Sequence, residues 1–342
     1  ADPQGLVFSP LLVLLMLLPE RPSVVWFDGC VLLHLLVGGI GMLALTRRFQ
    51  LPSAASLLGA MVFIAGGAAS ARLQHTPIVL AYGFAPWVLL FCARLVERAN
   101  PVDALGLGLA AGAMLTHPVQ ATYLLLLAAA GFGVASYARR WRRIGATATL
   151  RLLGSGVLAG AVALLVAGPQ LAATLAFLPL STRAPYTFDE VAANGVAPRV
   201  LATMLWPNVD GVLAGSYTGN GDVTESFLHF GTVALVLVAG FGVAALRQPT
   251  TRFATAYFAT AAAAGLAYAL GGHTASLGLC WMPAGTFPGW PEGMAIGQHG
   301  SWNRRPHSGY KVIYVPLADG KPSGPPVDVL TGFLSAEATA YG

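Results

Sequence analysis

Charge is what this sequence has least of. Only 10% of its 342 residues are Asp, Glu, Lys or Arg and 56% are hydrophobic, whereas about a quarter of a soluble domain is charged. Residues 152–182 and 253–286 carry no charge at all, and each run exceeds the roughly 20 apolar residues that cross a bilayer core. An ordinary water-soluble globule is thereby excluded as the default class. Cysteine is also scarce: Cys30, Cys92 and Cys280 are scattered and two fall in apolar runs, so neither a disulfide framework nor a metal motif follows. The opening ADPQGLVFSP lacks an initiator Met and a basic n-region, so it is not a signal peptide. It reads as the middle of something, which predicts a chain truncated at its front. The formal charge of +5 does not predict a nucleic-acid partner, because most arginines border apolar runs.

Those arginines orient the chain. The basic turn YARRWRRIGATATLR, residues 137–151, lies between two long apolar runs, and Lys or Arg beside hydrophobic spans resists translocation. With that turn inside, spans are expected at residues 24–45, 54–71, 77–95, 102–116, 119–137, 152–178, 227–246 and 253–270. Residues 11–18 are too short to span and read as re-entrant or interfacial. Arg47, Arg48, Arg94, Arg98, Arg139, Arg140, Arg142, Arg143, Arg151, Arg247 and Arg252 then fall on inner loops. The outer loops before the tail hold only Arg21, Arg72, Arg183 and Arg199. The fold class expected is an all-α polytopic transmembrane bundle of about eight spans, with both chain ends outside.

Glycine is abundant and should let helix backbones approach closely. The Gly156 to Gly160 spacing is a GxxxG match, read here as internal packing rather than dimerisation. Gly168 and Pro169 are expected to interrupt the span at 152–178 near its outer end. From Gly271 onward the composition shifts to Gly, Pro, Ser and aromatics, with the alternating run YKVIYVP followed by Asp319-Gly320 and KPSGPP. That is the pattern of strands and turns. Two domains follow: residues 1–270, helical and membrane-embedded, and residues 271–342, a β fragment outside.

The polar residues of the helical part gather at outer span ends. Asp2, Gln4, His75, His117, Gln120, Gln170, Arg183, Asp189 and Glu190 are placed there, with Arg72. A wet cavity at that surface suits an anionic lipid-linked substrate, with Arg72 or Arg183 near phosphate and a carboxylate as base. The competing reading is that these side chains simply meet water and headgroups. His34 sits near the middle of the first span, where an ionisable group is costly and faces a partner or cavity. A neutral imidazole making an interhelical hydrogen bond is the preferred reading there. His299 and His307, eight apart with Pro306 between, do not make a convincing metal pair.

Two family resemblances follow from quoted runs. ADPQGLVFSP, LLHLLVGGIGMLALTRRFQL, ARLQHTPIVLAYGFAPWVLL, THPVQATYLLLL, GPQLAATLAFLPLSTR and MLWPNVDG, in this order over residues 1–270, resemble the YfhO-like bacterial membrane proteins grouped with GT-C glycosyltransferases. The resemblance implies a multi-pass protein of the bacterial inner membrane. It further implies an inverting transferase that takes sugar from a polyprenyl-phosphate donor at the outer face, with an Asp of the first outer loop as base. Asp2 lies in that loop and is the catalytic candidate, although it does not match the family's motif position. Gln4, Arg72, His75, His117, Gln120, Gln170 and Arg183 are the substrate-binding candidates.

The tail, HTASLGL and AIGQHGSWNRRPHSGYKVIYVPLADGKPSGPPVDVLTGF, resembles the late part of PQQ-dependent sorbosone or pyranose dehydrogenases, which are β-propellers. That resemblance implies PQQ as cofactor of a complete domain, with Arg304 holding its carboxylates bidentately and His299, Asn303 and Lys311 nearby. The other reading of Trp302 and Arg304 is that they close a propeller turn. The roughly 70 residues would supply one or two blades, where propellers close with about four to eight. The leading expectation is a truncated glycosyltransferase-like protein whose ancestral role was that transfer; beside it stand two alternatives, a membrane-tethered fragment of a PQQ sugar dehydrogenase, and a membrane protein without catalysis, including a nonfunctional fusion. A transporter ranks below these, since no internal repeat stands out.

Overall fold

The computed structural model describes residues 6–177, 198–211, 218, 227–270, 276–286, 290–298, 311–318 and 321–331. The chain divides into two compact units, residues 1–182 with 229–261 and residues 183–228 with 262–342. The first unit holds α1 (Pro10–Met16), α2 (Val24–Arg48), α3 (Ser53–Ala65), α4 (Gly67–Ser70), α5 (Thr76–Arg98), α6 (Pro101–Leu115), α7 (Gln120–Arg140), α8 (Ala146–Phe177) and α9 (Thr232–Arg247). Helix α10 (Arg252–Leu270) begins in it.

Local chemistry sets the boundaries. Ser23 caps α2 by accepting from the Trp26 backbone N–H at 3.1 Å. Asn100 caps α6 in the same way, accepting from Asp103 N–H at 2.8 Å with Pro101 at the first helical position. Helix α5 closes at Ala99, which adopts a left-handed φ of 48°.

Among the described residues five helical stretches are long and apolar enough to cross a membrane: α2, α3 with α4 (Ser53–Ser70), α5, α7 and α8. Pro101–Leu115 and Ala234–Arg247 are apolar but shorter. Their outward faces carry exposed Leu32, Leu36 and Ile40 on α2, Leu124, Leu127 and Val134 on α7, and Leu153, Val157, Leu164 and Leu165 on α8. So large an apolar surface suits lipid and not water.

Packing is serpentine. Helices α2 and α5, α5 and α7, and α6 and α8 pack against each other with one return pass between the members of each pair. Such neighbours run parallel. Gly38 and Gly83 meet at one crossing, and one turn on the Trp87 indole N–H donates to the Val37 carbonyl at 2.9 Å. Helix α5 is the hub: 61% of its most apolar stretch is buried, against 17% for α7 and for α8.

The close approaches correct one expectation. A Cβ on Gly108 would lie 2.7 Å from the Ala159 carbonyl, and one on Gly112 would lie 3.0 Å from that of Ala163. The internal small-residue crossing is therefore Gly108/Gly112 against Ala159/Ala163. Gly156 and Gly160 are exposed and have nothing within 4 Å of a built Cβ, so they do not pack internally. Spacing alone does not say which face of a helix is covered.

Helix α8 also runs unbroken through Gly168 and Pro169, contrary to the predicted interruption. At 32 residues it is about 48 Å long, well beyond a hydrocarbon core of about 30 Å. One missing N–H near its far end does not break so long a ladder.

In the second unit, Arg199 pairs with buried Asp210 at 2.7 Å, and the Thr203 hydroxyl accepts from Leu228 N–H at 3.1 Å. Strands β1 (Ser276–Met282), β2 (Gly293–Gln298) and β3 (Lys311–Ala318) form an antiparallel meander. Strands β4 (Lys321–Pro322) and β5 (Val327–Leu330) both pair antiparallel with β3. Tyr314 is buried in this sheet beside Trp290, their rings 4.4 Å apart, and its hydroxyl donates to the Pro291 carbonyl at 2.5 Å.

Candidate functional site

Helix α6 has only 15 residues, and its shortness positions the site. The connection that follows it, Thr116 to Val119, ends inside the bundle: Thr116 and His117 are each 1% exposed. Buried non-helical backbone is tolerated where protein satisfies its polar groups, and here it does. The Thr116 hydroxyl donates to the Ala113 carbonyl at 2.7 Å, and the Thr122 hydroxyl donates to the His117 carbonyl at 2.7 Å. Val119 N–H donates to that same carbonyl at 2.8 Å. His117, expected at an outer span end, follows α6 directly and is covered by protein there instead of meeting water.

His117 and His34 share one chemistry. His117 Nδ1 lies 3.1 Å from the Ala113 carbonyl, and His34 Nδ1 lies 2.7 Å from the Cys30 carbonyl. A carbonyl only accepts, so Nδ1 carries the proton in both rings and Nε2 presents a bare lone pair. Both Nε2 atoms are buried without a hydrogen-bond partner. The predicted interhelical bond of His34 is corrected to a bond with its own helix one turn back, while its ring edge meets Phe84 at 5.9 Å. The two imidazoles are near enough to interact electrostatically. Burial pushes His117 down to about 4, His34 adds to that, and the bonds to Ala113 and Met114 oppose it. At neutral pH His117 is an uncharged hydrogen-bond acceptor.

The other candidates of this end are spread around the pair. Gln170 is buried on α8, the turn after Ala163 and Val166, which pack on Gly112. This register carries it to the level of Thr116. Its amide donates to the Thr174 hydroxyl at 3.1 Å, and that hydroxyl donates back to the Gln170 carbonyl at 2.8 Å. Arg72 and His75 occupy the turn before α5, both half-buried, and His75 Nδ1 is buried without a partner. Gln120 is exposed at the first turn of α7. Asp2, Gln4 and Arg183 lie outside the described residues, as do Asp189 and Glu190.

Sequence reasoning missed Ser9. It is fully buried where α1 begins, with no partner for its hydroxyl, and nothing in ADPQGLVFSP marks it. Thr116 and Thr122 were missed too, although both stand in the run THPVQAT around His117.

In the tail, Lys311 pairs with Asp328 across β3 and β5 at 3.0 Å. His299, Asn303 and Arg304 lie outside the described residues. Among the described residues no group of three or more His, Cys, Asp or Glu could hold a metal ion. Compared with family models, curated proteins and solved structures, the chain matches none.

Proposed function

We propose that this chain is a GT-C-type membrane glycosyltransferase of the YfhO-like kind, embedded in the bacterial inner membrane with its arginine-bearing loops in the cytoplasm. Its substrate is a polyprenyl-phosphate sugar, received at the opposite end of the bundle, where both chain ends also lie. The observation that carries this reading is the pair of bare Nε2 lone pairs of His34 and His117, buried and unpartnered. Two neutral acceptors suit the hydroxyls of a sugar, since an unpaired buried acceptor gains most from a donor brought to it. Arg72 sits in the turn before α5 and takes the phosphate. Asp2 is the base that withdraws the acceptor's proton.

The reading is tested with purified protein in nanodiscs and a radiolabelled polyprenyl-phosphate sugar. Retention of the sugar lipid should fall by about tenfold or more in His117→Leu, the weight of a lost hydrogen bond to a buried site. Transfer should be abolished in Asp2→Asn. Equal retention by wild type and His117→Leu would remove the histidines from the site.

A second reading has one observation in its favour. The tail's strands β1, β2, β3 and β5 form an antiparallel sheet in chain order, the arrangement of a propeller blade, as expected for a fragment of a PQQ-dependent sugar dehydrogenase. PQQ-dependent dye reduction that falls on Arg304→Ala supports it, and absence of quinone binding removes it.

A further inference from the structure

At the arginine-bearing end of the bundle, α2, α5, α7 and the turn between α9 and α10 enclose a cleft of about 650 Å³. Its charged lining is Arg48, Arg139, Arg140 and Glu97, and its apolar wall includes Phe132 and Phe253. Three guanidiniums face one carboxylate, which leaves two positive charges in surplus. Glu97 is taken by Arg48, whose Nε is buried without a hydrogen-bond partner. Arg139 stacks over the Phe253 ring at 5.1 Å. Neither Arg139 nor Arg140 has a carboxylate partner among the described residues. Arg94 and Arg98 lie within electrostatic reach of Arg48, and Arg98 adds to the positive potential. Arg94 is itself neutralised by buried Asp103 at 2.6 Å.

We propose that this cleft binds the phosphate of an anionic membrane lipid. Unpaired guanidinium forks match phosphate oxygens, and the aromatic wall beside them suits the start of an acyl chain. Basic pockets between helix ends on the cytoplasmic side recognise lipid headgroups in this way. The assignment depends on the chain lying in a membrane and is independent of sugar transfer, which belongs to the other end.

Detergent-solubilised protein is titrated with phosphatidylglycerol, with phosphatidylcholine and with inorganic phosphate, and retention is read by native mass spectrometry together with the unfolding midpoint. Phosphatidylglycerol should be retained and raise the midpoint, and phosphatidylcholine should do neither. The double variant Arg139→Gln/Arg140→Gln should weaken retention by about tenfold or more. Arg151→Gln, a control exposed at the same end but outside the cleft, should leave it unchanged. Both cleft arginines are exposed, and the single Arg139→Gln replaces the double variant where that does not elute as one folded species. Undiminished retention in the cleft variant, or equal retention of the two lipids by wild type, overturns the proposal. Stabilisation by inorganic phosphate with none from phosphatidylglycerol also overturns it, giving the cleft to a soluble anion.

Discussion

The two ends of the helical bundle handle polarity in opposite ways. At one end charges are plentiful and several are matched: Arg48 with Glu97, Arg94 with Asp103, Arg139 over Phe253. At the other, charge is nearly absent from the interior, and polar atoms of Ser9, His34, His75 and His117 are buried without a hydrogen-bond partner. A matched charge holds helices in register. An unmatched neutral acceptor costs stability and is useful only when a ligand donates to it. The contrast sets ion pairs that hold helices at the first end against unpartnered acceptors at the second, the atoms on which the proposed sugar site rests.

The largest effect should come from breaking a matched pair. Asp103 is fully buried and serves both Arg94 and the Asn100 cap, so Asp103→Ala should destabilise by about 3 kcal/mol, read from denaturation in SDS titrations. An effect below about 1 kcal/mol would reduce the pair to a surface contact.

Next come the helix crossings. A Cβ on Gly83 would stand 2.5 Å from the His34 carbonyl, so Gly83→Ala should cost about 1–3 kcal/mol through overpacking. Gly156→Ala, with open space around it, should stay within about 0.5 kcal/mol of wild type. Equal effects at the two glycines would mean that Gly156 is also covered, by another chain.

His117 sharpens the comparison from the other side. Its replacement by Leu removes an unpartnered acceptor, so stability should hold or rise by about 1 kcal/mol while sugar-lipid retention is lost. Its native pKa of about 4 lies below the ordinary 6.5, so below pH 6.5 the unfolded chain takes up a proton that the native state refuses. The stabilising contribution is therefore complete above pH 6.5 and declines as pH falls toward 4. Denaturation of wild type and His117→Leu at pH 7.5 and pH 5 checks this, and the variant should show the weaker pH dependence.

The smallest effect belongs to the tail. Lys311 is half-buried and Asp328 exposed, and Lys311→Ala should cost less than about 1 kcal/mol.

Much of this was legible in the sequence because solvation is a property of runs. Arg47 and Arg48, Arg94 and Arg98, and Arg139 and Arg140 mark the same helix ends in the structure that they mark in the string, and the shortness of the run at 102–116 was plain. Depth and facing were not legible. That His117 follows a span is plain in the sequence, whereas its being covered by protein there shows only in the packing. His34 was given a partner on another helix because burial demands one, but a carbonyl of its own helix was closer. GxxxG spacing occurs in both α6 and α8, and only the packed pair shows which is covered. The cleft was invisible for a similar reason. Arg48 stands far in sequence from the adjacent Arg139 and Arg140, and only the serpentine order of α2, α5 and α7 brings them together.

The account rests on which side of the membrane each end occupies. Cysteine introduced at Gln74, exposed in the turn before α5, and at Trp141, exposed in the arginine turn, is probed with a membrane-impermeant thiol reagent on sealed right-side-out vesicles. Labelling of Gln74→Cys with protection of Trp141→Cys is the predicted result. Labelling of Trp141→Cys with protection of Gln74→Cys would contradict it.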